Sequence, residues 1–108
     1  MNDEERLYFE SLMELAESLG HSHQNPLSLS LLCLAHGVTF EEKGKIFISF
    51  NEILRRKNFE ELTVELFKEA MINITSVAQG FSEIVIIGFI KAYAKTLIPE
   101  LYPFAMTL

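Results

Sequence analysis

Four side chains that could bind a transition metal lie close together in the sequence, between residues 21 and 36. His21-x-His23 is followed by Cys33-x-x-His36, and imidazole nitrogen and thiolate sulfur are ligands that zinc prefers. They include every histidine and the only cysteine of the chain. Structural zinc sites usually contain two or more cysteines, however, and the polar residues around the histidine pair are typical of a solvated loop. We therefore expect no metal and no other cofactor, and these four residues are the candidate ligands if a metal does bind.

Side chains arranged for catalysis are not evident in the sequence. General acid–base chemistry needs two titratable groups whose pKa values are pushed apart, and the only aspartate, Asp3, lies next to the N-terminus. The chain contains no G-x-S-x-G nucleophile motif, no phosphate-binding G-x-x-x-x-G-K-[ST] loop and no dinucleotide-binding G-x-G-x-x-G. We expect no catalytic residues and no enzymatic activity.

The charge of the chain is negative and unevenly distributed. The formal net charge is −6, and residues 1–42 contain eight acids against one base, whereas residues 43–108 contain seven acids and eight bases. An acidic surface repels phosphate backbones and anionic lipids and attracts basic proteins. The charge therefore argues against nucleic acid and membrane surfaces as partners and favours a basic protein.

Carboxylates recur at helical spacing in two places. The first row is Glu10, Glu14 and Glu17, and the second row is Glu61, Glu65 and Glu69. A solvated helix face would explain both rows, because such faces keep small acidic domains soluble. Rows of carboxylates on rigid helices also steer basic partners, so these six residues are the candidate partner-binding residues.

The elements that would position these groups begin with two helices. Asp3 is a candidate N-cap for a first helix that reaches Leu19, with Gly20 as a left-handed terminator. The apolar residues of this helix predict a stripe that faces the core, widened by Phe9 and Ala16: Tyr8, Leu12, Leu15 and Leu19. A second, almost entirely apolar helix would start at Pro26 with Asn25 as its N-cap and end at Gly37.

Residues 38–50 are compatible with two structures. Thr39 and Glu42 form a capping box, which favours a helix, whereas Gly44 and the β-prone segment after it favour a hairpin. We expect the hairpin, around residues 38–48. A short helix would then run from Ser49 through Lys57.

Two longer helices complete the prediction. The first would run from Asn58, as the start of another capping box with Glu61, to Val77, and the second from Ser82 to the residues before Pro99. The tail after it would pack as irregular chain. The fold class is therefore mainly α: a single compact domain over residues 1–108, with four to five helices and a small β-hairpin.

Composition also bears on location and on disulfides. One cysteine cannot close an internal disulfide, and the acidic first residues do not resemble a secretory signal. The longest apolar run, residues 84–90, is far shorter than the roughly 20 residues that cross a bilayer as a helix. We expect a cytoplasmic protein.

These observations favour a non-catalytic acidic domain that binds a protein. The first hypothesis is an inhibitor that masks a basic partner such as a nuclease toxin, as a bacterial immunity protein does; the likeness is one of size, charge and helicity, and no motif ties the chain to a family. The alternative is a helical adaptor or secretion chaperone, monomeric or dimeric, that uses an apolar groove. A small enzyme without a recognisable motif is the third hypothesis.

Overall fold

The computed structural model describes residues 2–108, which form six α-helices, three 3-10 turns and no strand. The α-helices are α1 (Asp3–Ser18), α2 (Leu29–His36), α3 (Phe40–Arg56), α4 (Val64–Ile72), α5 (Glu83–Thr96) and α6 (Tyr102–Ala105). The 3-10 turns are Phe59–Glu61, Ser76–Gly80 and Pro99–Leu101. The mainly helical fold class is confirmed, and the tail predicted as irregular contains a 3-10 turn and α6.

The hairpin predicted around residues 38–48 is wrong, because this segment forms the first half of α3. The capping box decides the structure: Thr39 Oγ1 accepts a hydrogen bond from the Glu42 N–H, and a Glu42 carboxylate oxygen accepts one from the Thr39 N–H. The helix then runs without a break through Ser49, so the separate helix predicted from there is its second half. Gly44 lies in the helix with open space beside it.

Five predicted helix ends can be compared with the structure. Gly20 and Gly37 have positive φ and end the first two helices as predicted, and Ser82 caps α5 as predicted. Asn2, and not Asp3, is the N-cap of α1. The second helix starts later than predicted, at Leu29, because the Ser28 hydroxyl accepts a hydrogen bond from the Leu31 N–H and caps it there.

The long helix predicted from Asn58 to Val77 is divided into three elements. The capping box of Asn58 and Glu61 closes only a 3-10 turn, after which Leu62 is extended and Thr63 caps α4. The helix ends at Ile72 and is followed by the 3-10 turn Ser76–Gly80. Glu61 therefore does not share a helix with the other two members of its predicted row.

The hydrophobic core is organised around α5, which contacts α2, α4 and α6. Its middle is buried on most sides, and aromatic rings pack in edge-to-face contact against it: the ring of Phe50 lies 4.9 Å from that of Phe67 and 5.1 Å from that of Tyr93. The Tyr93 hydroxyl donates a hydrogen bond to the carbonyl oxygen of Lys43, 2.7 Å away, and so ties α5 to α3.

Helix α1 differs from the others because it has no buried side chain. The predicted core stripe, Tyr8, Leu12, Leu15 and Leu19, is 51–75% exposed, so its assignment to the core is wrong. Phe9 and Ala16, predicted to widen the stripe, are half-buried together with Met13, and these three residues lie about 90° around the helix from the stripe at about 100° per residue. Of these, Met13 shares a cavity with Leu32 and Ala35 of α2, and Ala16 lines a second cavity with Leu31 and Leu34.

Candidate functional site

The histidines predicted as metal ligands meet only in part. The Nε2 atoms of His23 and His36 are 3.0 Å apart, and their ring centroids are 5.2 Å apart. The His36 ring also makes edge-on contacts with Phe81 and Phe89. One imidazole must donate and the other accept, so the hydrogen bond exists when at least one ring is neutral.

The other two candidate ligands are engaged elsewhere. His21 Nδ1 accepts a hydrogen bond from the Leu27 N–H at 3.0 Å. Cys33 is 4% exposed, and burial raises the pKa of its thiol to about 11, against a smaller opposite effect of Lys43. Zinc binds the thiolate form, so the burial of this thiol disfavours it as a zinc ligand. Across residues 2–108, no three histidine, cysteine or acidic side chains are grouped as a metal site.

Burial and neighbouring charge both act on these histidines. Burial lowers the pKa of His36, and a charge on His23 would lower it further. The same two effects, in the same order, lower the pKa of His21, while Glu17 raises it by a smaller amount. His23 lies against α5, since a Cβ added to Gly88 would come within 3.2 Å of its ring. The histidine pair therefore anchors the loop after α1 to the body of the protein.

The first predicted carboxylate row remains a continuous feature in the structure. Glu10, Glu14 and Glu17 are exposed on α1, on the opposite side of the helix from the apolar stripe. The ion pairs found within residues 2–108 join Lys45 to Glu41 and both Arg55 and Arg56 to Glu52. None of these ion pairs involves the row, and the basic group that interacts with it is His21, whose pKa Glu17 raises.

The second predicted row is divided between two elements. One carboxylate oxygen of Glu61 accepts a hydrogen bond from the Asn58 N–H, and Glu61 belongs to a 3-10 turn. Glu65 and Glu69 are exposed one turn apart on α4. Glu61 thus has a local capping role, and the structure brings only the last two carboxylates onto one helix face.

An apolar groove between α1 and α2 was not predicted as a site. It has a volume of about 450 Å³, and no charged side chain lines it. Its walls are Leu12, Ala16 and Leu19 from α1 and Leu27, Ser28, Ser30, Leu31 and Leu34 from α2 and the segment before it. The sequence signal was present, because the second helix is apolar nearly all round and the first has an apolar stripe. The periodicity of apolar residues assigned both the second helix and the stripe of the first helix to the core, and so did not indicate a groove between them.

Comparisons with known proteins do not assign the chain to a family. No protein family model, curated protein or solved structure matches it. Among the helices of residues 2–108, none combines the length and the apolar character needed to cross a bilayer. The surfaces of α1 and α2 are therefore the features of the chain that bear on its function.

Proposed function

We propose that this chain is a non-catalytic protein-binding domain whose first helix presents its contact surfaces. The observation that carries the proposal is that α1 contributes no buried side chain, yet has an apolar stripe on one side and three carboxylates on the other. Exposed apolar patches of this kind mark interaction sites more often than they mark inert surface. A sixteen-residue helix that adds so little to the core is best explained by contacts with another chain.

The first form of this proposal is an acidic inhibitor that covers a basic protein, for example a nuclease toxin. Glu10, Glu14 and Glu17 would face the partner, and their negative field would speed encounter with a basic surface. Exposed ion pairs contribute only about 0–1 kcal/mol each. The row would therefore govern association rate and choice of partner more than the final affinity, and binding would weaken as salt is added.

A charge-reversal experiment tests this form. Proteins from the native host are captured on the wild-type chain and on the variant Glu10→Lys/Glu14→Lys/Glu17→Lys, and bound proteins are identified by mass spectrometry. We expect a basic protein that the variant loses and that elutes from the wild type with salt. The matched control, Glu60→Lys/Glu83→Lys/Glu100→Lys, changes the net charge equally at exposed positions outside both rows and retains the partner. Equal capture by both variants would contradict the proposal.

The groove supports a second candidate function, a helical adaptor or secretion chaperone. A partner helix with an apolar face would lie between α1 and α2, where the walls are apolar and uncharged. Such a partner would be retained at high salt and lost when Leu34→Glu places a charge in the groove. The response to salt therefore separates the two candidates in the same capture experiment.

A further inference from the structure

The apolar face of α1 and α2 is large for a surface that faces only water. Six large apolar side chains on it are 47–75% exposed: Tyr8, Leu12, Leu15, Leu19, Leu27 and Leu34. At roughly 100 Å² for each such side chain, the face offers on the order of 600 Å² of apolar area. This is at the upper end of the patches that monomeric proteins expose, which are about 300–600 Å².

The shape of this face allows it to pair with a copy of itself. It carries a ridge, the stripe of α1 that includes Leu15, and beside it the groove of about 450 Å³ between α1 and α2. A twofold axis brings the same patch of both copies together, so that each ridge can enter the groove of the other copy. The two faces together would bury about 1,200 Å², the lower limit of stable interfaces.

The distribution of charge around this face is compatible with a second copy of the chain. The positions beside the stripe between Tyr8 and Leu19 are uncharged, and one carboxylate lies at its N-terminal end, where Glu4 accepts a hydrogen bond from the Tyr8 hydroxyl. The uncharged positions are Phe9, Ser11, Ala16 and Ser18. The residues that line the groove are also uncharged, and one charge lies at their edge, where the Lys43 ammonium donates a hydrogen bond to Ser30 Oγ at 3.0 Å. The acidic row lies on the opposite side of α1, and two copies could meet through the stripe without bringing these carboxylates together.

We propose that this face is the interface of a symmetric homodimer in which the α1 stripe of each chain packs into the α1–α2 groove of the other. The inference uses a different surface from the acidic row and does not depend on a basic partner. It leaves both copies of that row exposed, so the dimer would present two acidic surfaces. Each chain has a net charge of −6, so salt would screen the repulsion between the chains and strengthen the dimer.

Sedimentation equilibrium of the purified chain tests this proposal. We expect a dimer at roughly 50 µM protein, with a dissociation constant that falls as salt increases. In Leu12→Glu/Leu15→Glu, two charges would be buried at the centre of the interface, which would raise the dissociation constant by roughly a hundredfold or more. The matched control is Leu7→Glu, at an exposed position of α1 outside the stripe, and it remains dimeric.

Further measurements separate dissociation from loss of fold. Circular dichroism should match the wild type in both α1 variants, because Leu7, Leu12 and Leu15 are all more than half exposed. Leu34→Glu provides an independent test from the α2 side of the groove and should also dissociate the dimer. A monomeric wild type would overturn the proposal and leave the groove to a partner helix. A dimer that persists in both Leu12→Glu/Leu15→Glu and Leu34→Glu would overturn it as well, since another surface would then join the chains.

Discussion

The Nε2 atoms of His23 and His36 lie 3.0 Å apart, which joins the loop after α1 to the last turn of α2. A hydrogen bond between two imidazoles needs one ring nitrogen without a proton as acceptor, and protonation of both rings would remove that acceptor and place two positive charges in contact. The same loop is held on α5, where Lys91 donates a hydrogen bond to the carbonyl oxygen of Gln24 and Lys95 donates one to Asn25. The attachment of the loop thus includes one contact that depends on protonation.

The first prediction is that stability falls as the pH is lowered below about 6.5, the ordinary pKa of histidine. Burial lowers the pKa of His36 and of His21 in the folded protein, so the unfolded chain takes up protons first. Between the lowered pKa and 6.5 the unfolded state binds more protons, and the free energy of unfolding decreases with falling pH. Urea unfolding at several pH values between 5 and 8 measures this slope.

Histidine variants test whether His21 and His36 cause this dependence of the unfolding free energy on pH. His36→Gln should flatten it, and His21→Gln/His36→Gln should flatten it further, because each removes one group that titrates differently in the two states. Glu42, whose pKa is lowered chiefly by its hydrogen bond from the Thr39 N–H, titrates at lower pH and does not contribute in this window. An unchanged slope in the double variant would show that other groups cause it.

The second prediction concerns zinc. The purified protein should contain no stoichiometric zinc, and added zinc should not raise its melting temperature, because Cys33 is a buried thiol and His21 Nδ1 already accepts a hydrogen bond. Elemental analysis and thermal unfolding with and without zinc measure both. One zinc per chain in the wild type, lost in His23→Gln, would show that a metal joins the histidine pair.

The third prediction concerns the aromatic core. Phe67 is fully buried between Phe50 and Phe104, and Phe67→Ala should lower the free energy of unfolding by about 3–5 kcal/mol. Ile86→Ala, at the buried face of α5, should cost about 2–5 kcal/mol. The control is Phe40→Ala, which removes a ring that is 88% exposed and should cost less than about 1 kcal/mol. Chemical denaturation compares them, and similar losses at Phe40 and Phe67 would contradict this packing.

The fourth prediction is that replacing two glycines by alanine changes the stability of the protein in opposite directions. Gly44 lies inside α3 with nothing within 4 Å of an added Cβ, so Gly44→Ala should stabilise the protein by about 0.5–1 kcal/mol. Gly37 ends α2 with a φ of 77°, so Gly37→Ala should destabilise it by about 1–2 kcal/mol. Thermal unfolding distinguishes the two signs. A destabilising Gly44→Ala would argue against a continuous helix there.

Sequence patterns predicted several helix boundaries because capping is a local interaction. Thr39 with Glu42 and Asn58 with Glu61 are both capping boxes in the structure, although at Thr39 the expected element was a hairpin and not the helix that the box starts. A box does not determine the length of the element that it starts, however. The first begins a helix of 17 residues, and the second begins a 3-10 turn of 3 residues. Packing beyond the first turn decides this difference, and a local pattern does not contain it.

The burial of side chains was predicted correctly in α4 and α5 and incorrectly for the stripe of α1. Phe67 and Ile86 are fully buried as expected, whereas Leu12 and Leu15 are more than half exposed. Periodicity identifies the apolar face of a helix but not what covers that face. The contact between His23 and His36 is likewise not determined by the sequence pattern, since it depends on the path of the loop between α1 and α2.

The absence of buried side chains in α1 has a consequence for how the chain opens. A helix held by half-buried contacts can detach without disrupting the aromatic core, so its amide hydrogens would exchange with solvent through local opening, at rates set by that opening rather than by global unfolding. The amides in the middle of α5 would exchange only when the core itself opens. Helix α1 would thus open independently of the core. A bound partner or a second copy on α1 would slow its exchange towards that of α5.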